Sequence, residues 1–165
     1  MTKILLMRHA KAVKPASGMA DFDRPLEQSG RADAAKMGRR LTERSEMPDH
    51  VICSGAKRTR ETLGELNVPS DRVAFSDPLF DFDGTEYVAA LRGAEGDVVM
   101  IVGHNPSVHD AALMLAGSGE PALREALARK FSPGSVAVLS TDVPLTALRQ
   151  GCCTLDAFLT PSDPD

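Results

Sequence analysis

Val98-Val99-Met100-Ile101-Val102, followed at once by Gly103-His104-Asn105-Pro106, is the stretch that decides the fold. Five consecutive apolar residues, four of them β-branched, predict a strand covered on both faces. The polar step after it predicts a helix start, with Asn105 as N-cap and Pro106 in the first turn, and a helix that stops at Gly117. The same rhythm repeats outward in both directions. Residues 3–7, 51–53 and 73–75 read as three more strands. Ala34, Met37 and Leu41 recur at helical spacing across residues 27–44, leaving Arg31, Arg39 and Arg40 free to face water. Thr59, Leu63 and Leu66 mark a further helix, ended by Pro69. Thr85 can cap a short helix through Leu91, and residues 121–130 read as another. Residues 135–140 and 152–159 read as two closing strands, candidates for antiparallel pairing. Between the first strand and the first helix, residues 13–23 read as a surface loop, and residues 160–165 as a frayed tail.

Alternation of this kind predicts an α/β fold: a three-layer α/β/α sandwich with a mostly parallel central sheet. The 165 residues suit a single domain over 1–165, long enough for a core without disulfide staples. Nineteen basic against 23 acidic residues give a net charge of −4, which argues against broad nucleic-acid binding. No apolar run nears the ~18 residues of a membrane span, and the opening apolar stretch is shorter than the roughly 7–15 residues of a signal-peptide core. A cytoplasmic monomer with no membrane or nucleic-acid partner is expected. Cys53, Cys152 and Cys153 contain no Cys-x-x-Cys pair, so a disulfide framework or zinc site is not expected. They read as thiols in a reducing compartment, and Cys152 and Cys153, if both on a strand, would face opposite ways.

In sheets of this type ligands bind beyond the carboxyl ends of the strands. Those positions hold Arg8-His9-Ala10, then Ser54-Gly55-Ala56-Lys57-Arg58-Thr59, then Gly103-His104-Asn105-Pro106. Guanidinium groups fork onto phosphate oxygens, so Arg8 and Arg58 can neutralise and orient a phosphoryl group. The helix start at Asn105 adds free backbone N–H groups and a positive dipole end. Together these corners describe an oxyanion site containing two imidazoles, His9 and His104. His50 and His109 read as structural, and the five-residue step from His104 to His109 does not give the helix-face spacing of a metal pair.

Arg8-His9-Ala10 resembles the Arg-His-Gly signature of the histidine phosphatase superfamily, the phosphoglycerate-mutase-like proteins. Residues 54–62 (SGAKRTRET) are similar to its Ser-x-x-x-Arg-x-x-x-Thr motif, and Gly103-His104-Asn105-Pro106 to its second catalytic histidine. Asp23-Arg24-Pro25-Leu26 followed by Gly30 resembles the SixA-type phosphohistidine phosphatases. The resemblance implies a phosphoglycerate-mutase-like fold and a phosphatase that needs no metal or other cofactor. It implies His9 as nucleophile, Arg8 and Arg58 as phosphoryl clamp, and His104 as a donor to the same oxygens. Arg24 would reach that phosphate, or else pair with Asp21, Asp23 or Glu27 on the surface.

Two positions depart from the pattern. Ala10 replaces the usual glycine, and its methyl would be awkward at positive φ. No acidic residue follows His9 until Asp21, so Asp81 is the candidate general acid, with Asp83 and Glu86 behind it, and a solvated loop carboxylate is the other reading of each. An imidazole leaving group tolerates a missing acid better than an alkoxide does. Only 45 residues, 59–103, separate Arg58 from His104, too few for a lid domain. An open pocket suits phosphohistidine on a protein; a small phosphorylated compound is the alternative substrate, and a non-catalytic phosphate-binding module the alternative of another class. A cysteine-phosphatase loop needs five residues between Cys and Arg, whereas four separate Cys53 from Arg58, and no Gly-x-x-x-x-Gly-Lys-Ser/Thr loop is present.

Overall fold

A computed structural model describes residues 1–164. Seven strands form one sheet in the order β3-β2-β4-β1-β6-β7-β5. They are β1 (Thr2–Arg8), β2 (His50–Ser54), β3 (Val73–Ser76), β4 (Val98–Gly103), β5 (Ala116–Gly119), β6 (Val136–Thr141) and β7 (Cys153–Leu159). The helices are α1 (Gln28–Glu43), α2 (Lys57–Leu66), α3 (Gly84–Arg92), α4 (Ser107–Leu115) and α5 (Pro121–Arg129). β1, β2, β3 and β4 run parallel, as do β5 and β7, and β6 is antiparallel to β1 and β7. The α/β sandwich with a mostly parallel sheet is therefore the observed fold.

The two-residue period of the central strands builds both faces. Leu5 and Met7 of β1, with Met100 and Val102 of β4, pack against Met37 and Leu41 of α1 and Leu63 and Leu66 of α2. Ile4 and Leu6, with Val99 and Ile101, pack against Tyr87, Val88 and Leu91 of α3, Val108, Ala112 and Leu115 of α4, and Leu127 of α5. β4 is flanked by β1 and β2 and is buried on both faces, which explains its unbroken apolar run. Gly103 ends it because a Cβ there would collide with the Tyr87 ring.

Several local expectations are corrected. α4 begins at Ser107 with Pro106 as N-cap, so Asn105 does not cap it. Its Nδ2 instead donates to the Phe131 carbonyl, 3.1 Å away. α3 is capped by Asp83, whose carboxylate accepts from the Glu86 N–H at 2.9 Å, rather than by Thr85. The helix predicted to run to Gly117 gives way at Ala116 to the short β5, whose Ala-Gly-Ser-Gly sequence carries no strand signal. Cys152 precedes β7, so the two neighbouring thiols do not alternate across a strand, and their sulfurs lie 3.7 Å apart. Arg40 does not face water alone: it binds the Thr160 carbonyl and Asp163, both at 3.2 Å. Lys36 donates to the Pro161 and Asp163 carbonyls at 3.1 and 2.6 Å. The segment expected to fray from Thr160 is thus tied to α1 through residue 163; Asp165 lies outside the described residues.

Candidate active site

Because β1, β4 and β2 are in register neighbours, with Arg8 opposite Gly103 and Cys53 opposite Val102, their carboxyl ends open at one level. Beyond them lies a depression of about 270 Å³ lined by Arg8, His9, Lys11, Ala12, Arg24, Arg58, His104, Asn105 and Pro133. Six residues singled out in the sequence meet there: Arg8, His9, Arg24, Arg58, His104 and Asn105. Asp81 does not. It is exposed, closes the turn at Asp77–Phe80, and lies outside the lining. A larger groove of about 710 Å³ between α1 and α2 holds no histidine or cysteine.

The His9 ring is buried, and its Nδ1 sits 2.7 Å from the Ala10 carbonyl oxygen. A carbonyl only accepts, so Nδ1 carries the proton and Nε2 keeps its lone pair. Nε2 lies 3.3 Å from the Nε of Arg58, which donates to it. Burial, above all, pushes the His9 pKa down to about 3; the Ala10 carbonyl opposes this, and His104, Arg58 and Arg8 disfavour further positive charge. His104, its ring centroid 5.4 Å from that of His9, is pushed down to about 4 by burial and then by Arg58. Both rings are therefore neutral near pH 7, which is the state a nitrogen nucleophile requires.

Three guanidiniums converge on these rings. Arg8 is anchored by Nη1 on the Phe131 carbonyl at 3.0 Å, while its buried Nε has no protein partner among the described residues. Arg58 donates from Nη1 to the Asp21 carbonyl at 2.6 Å and from Nη2 to the Asp21 carboxylate at 3.1 Å. Arg24 donates from Nε to Asp21 at 2.7 Å and from Nη1 to the Val13 carbonyl at 2.8 Å. It therefore lines the depression and makes the surface pair as well. Burial opposes ionisation of Asp21, but its bonds to Arg24 and Arg58 prevail and hold the carboxyl below the usual range. Buried donors without partners beside clustered cations are suited to oxyanion binding.

The rest of the Ser-x-x-x-Arg-x-x-x-Thr motif holds this arrangement in place. Ser54 ends β2 and puts its hydroxyl 2.8 Å from His104 Nε2. Arg58 and Thr62, four apart on α2, share one helix face. Thr62 Oγ1 accepts from the Ala10 N–H at 3.0 Å and donates to the Arg58 carbonyl at 2.7 Å, joining the two arms of the site. Ala10 packs with Leu26 and Ala34, and its φ is not positive, so the missing glycine causes no strain. Gly30 of α1 is required by contact: a Cβ would run into the Lys11 carbonyl. The Tyr87 hydroxyl accepts from the His104 N–H at 3.0 Å and donates to the Leu79 carbonyl at 3.2 Å. Phe80 meets the His104 ring edge-on at 5.2 Å. The sequence marks Ser54 and Thr62 only as motif ends and Asp21 only as a surface partner of Arg24; Tyr87 and Phe80 carry no sequence signal that points to the site. Cys53 is fully buried, and burial pushes its thiol up to about 12, so it is no thiolate nucleophile. His109 binds the Leu127 carbonyl at 2.6 Å, away from the site. Among the described residues no cluster of three or more His, Cys, Asp or Glu could hold a metal ion, and no helix is long and apolar enough to cross a membrane.

Comparison with known proteins agrees with this geometry. The sequence profile of the histidine phosphatase superfamily (branch 1) matches residues 4–78. An uncharacterized protein of Mycobacterium tuberculosis is 31% identical over 159 residues, covering 94% of this chain and 99% of that one. A solved structure from Nakamurella multipartitia, assigned as phosphohistidine phosphatase SixA, is 31% identical with a TM-score of 0.84, covering 98% of this chain and 97% of its own. Another from Agrobacterium tumefaciens, with the same assignment, is 29% identical with a TM-score of 0.82, covering 97% and 98%. The chain therefore belongs to the histidine phosphatase superfamily, and within it to the SixA type.

Proposed function

We propose that this phosphatase hydrolyses phosphohistidine on a protein through a covalent intermediate at His9, without a metal ion. The observation that carries the reading is the His9 tautomer. Nδ1–H is fixed on the Ala10 carbonyl, so the Nε2 lone pair points at Arg58 amid three guanidiniums. Nε2 attacks phosphorus in line, the P–N bond to the substrate imidazole breaks, and that nitrogen leaves with a proton from solvent. Water then attacks the phosphoryl group on His9, the P–Nε2 bond breaks, and phosphate departs. Arg8, Arg24 and Arg58 neutralise the phosphoryl oxygens. His104 lines the same depression as a further oxygen partner, and Asn105 stands beside it with its Nδ2 held on the Phe131 carbonyl. Positioning and charge stabilisation are most of what phosphoryl transfer needs, so these side chains suffice.

Two features support a protein-borne substrate. Residues 59–103 are taken up by α2, β3, α3, β4 and their short connections, so no lid domain is inserted between Arg58 and His104. Asp81 stays outside the depression, and an imidazole leaving group has the least need of an acid. The test compares a phosphohistidine peptide with p-nitrophenyl phosphate and sugar phosphates, with and without EDTA, using His9→Ala as the blank. A strong preference for P–N substrates, unaffected by EDTA and abolished in His9→Ala, is expected. Equal or faster turnover of alkyl phosphates would make the chain a small-molecule phosphomonoesterase. Wild-type activity in His9→Ala would remove the covalent mechanism, and binding of phosphate with no turnover of any ester or phosphoramidate would leave a non-catalytic module.

A further inference from the structure

The guanidinium of Arg58 is already occupied by an anion of the chain's own. Its Nε and Nη2 lie on one edge of the planar fork, the edge that binds two oxygens side by side. Nε faces His9 Nε2 at 3.3 Å, and Nη2 holds the Asp21 carboxylate at 3.1 Å. A phosphoryl group bonded to Nε2 would set its oxygens against that same edge. The Asp21 carboxylate and a phosphoryl oxygen therefore compete for one donor, and Arg24, through its 2.7 Å bond to Asp21, is drawn into the same competition.

The Asp21 side chain is about half exposed, and it belongs to a three-residue turn, Asp21–Asp23, at the end of a loop without regular structure. The base of this loop is fixed by the Ala12–Leu26 bridge, by Val13 N–H donating to the Pro25 carbonyl at 2.9 Å, and by Leu26 N–H donating to Glu61 at 2.8 Å. The Asp21 main chain stays in place, its carbonyl accepting from Arg58 Nη1 at 2.6 Å and Phe22 packing edge-on against Phe80, so rotation of the half-exposed side chain alone lets the carboxylate withdraw into water and return.

We propose that Asp21 is a displaceable internal anion: it holds the Arg58 fork at rest, cedes it to the phosphoryl group, and returns to expel phosphate after hydrolysis. The inference rests on the phosphatase reading above. Its cost is weaker binding of every oxyanion, and its gain is release of a product that three guanidiniums would otherwise retain.

The test measures binding of inorganic phosphate by calorimetry at pH 8 to wild type, Asp21→Asn, Asp21→Ala and Asp23→Asn. Asp23 is an exposed neighbour, so its variant reports the loss of one negative charge alone. If the unclamped form is about a tenth of the population, removing the carboxylate tightens phosphate binding roughly tenfold. Asp23→Asn should change it less than about twofold, since exposed charges act weakly. In steady state both Asp21 variants should show a lower KM, stronger product inhibition and no gain in kcat. Unchanged or weaker phosphate binding in the Asp21 variants would overturn the proposal, as would an equal gain in Asp23→Asn. With wild-type turnover intact, either result removes only this inference. A wild type that neither binds phosphate nor turns over a P–N substrate would overturn both.

Discussion

Lowering the pH from 7 to 5 should destabilise the fold by about 4 kcal/mol, through two buried imidazoles. His9 and His104 have folded pKa values of about 3 and about 4 and exposures of only 8% and 6%. An unfolded chain returns both to about 6.5. A histidine with a depressed folded pKa binds its proton only on unfolding, so stability falls as pH drops below about 6.5 and continues to fall until the folded pKa is reached. At pH 5 each unfolded ring gains about 1.5 pH units of protonation free energy, or about 2 kcal/mol, while each folded ring stays neutral. Against a typical total of about 5–15 kcal/mol, the two together are a large fraction. The carboxyls with lowered values, Asp21, Glu46 and Asp163, lose their stabilising contribution only as pH falls through the acid range near 4 and below, outside this window. Urea unfolding at pH 7 and pH 5 reads the difference directly. His104→Gln should recover about half of the loss and His9→Gln the other half. A wild-type change under about 1 kcal/mol, or a full loss persisting in both variants, would show that these rings do not stay neutral in the fold.

Two further substitutions test separate parts of the site. Arg58→Ala and His104→Ala should each lower kcat about 10²-fold or more on a P–N substrate while the thermal transition survives; rates within a few fold of wild type would remove both from the oxyanion clamp. Thr62→Val keeps shape but strands the buried Ala10 N–H, and should cost about 1–3 kcal/mol in urea unfolding with kcat reduced as well. Undiminished stability in that variant would show that the hydroxyl does not join the two arms.

Much of the fold was legible because the decisive strands carry their burial in their composition. The β4 run and the alternating partners of β1 left few alternatives, and the strand-end rule then selected Arg8, Arg58 and His104 without reference to distance. What failed has physical reasons. β5 is Ala-Gly-Ser-Gly, and it pairs because Gly117 and Gly119 let the chain lie against residues 151 and 155 with no room for a Cβ. Residues 160–163 look like a tail by composition, but Lys36 and Arg40 on the outer face of α1 capture their carbonyls. The cap at Asn105 failed for a similar reason, since its side chain is drawn across to Phe131, 26 residues away.

Asp21 shows where legibility ends for the site itself. Groups that act on phosphorus follow strand ends, and strand ends are fixed by the sheet, so the sequence displays them as short motifs. A carboxylate proposed to compete with the substrate has no such address. It lies 37 residues from Arg58 in the chain, on a loop whose path is set by the Ala12–Leu26 bridge and the Glu61 anchor on α2. In sequence it reads as one of two aspartates beside Arg24, and a surface ion pair there would contribute little. In the fold the Asp21 carboxylate sits on the edge of the Arg58 guanidinium that faces His9 Nε2. A weak contact placed there has a large consequence, because a clamp of three guanidiniums binds phosphate well whether it is substrate or product. A rival anion of the chain's own is what allows such a clamp to let go.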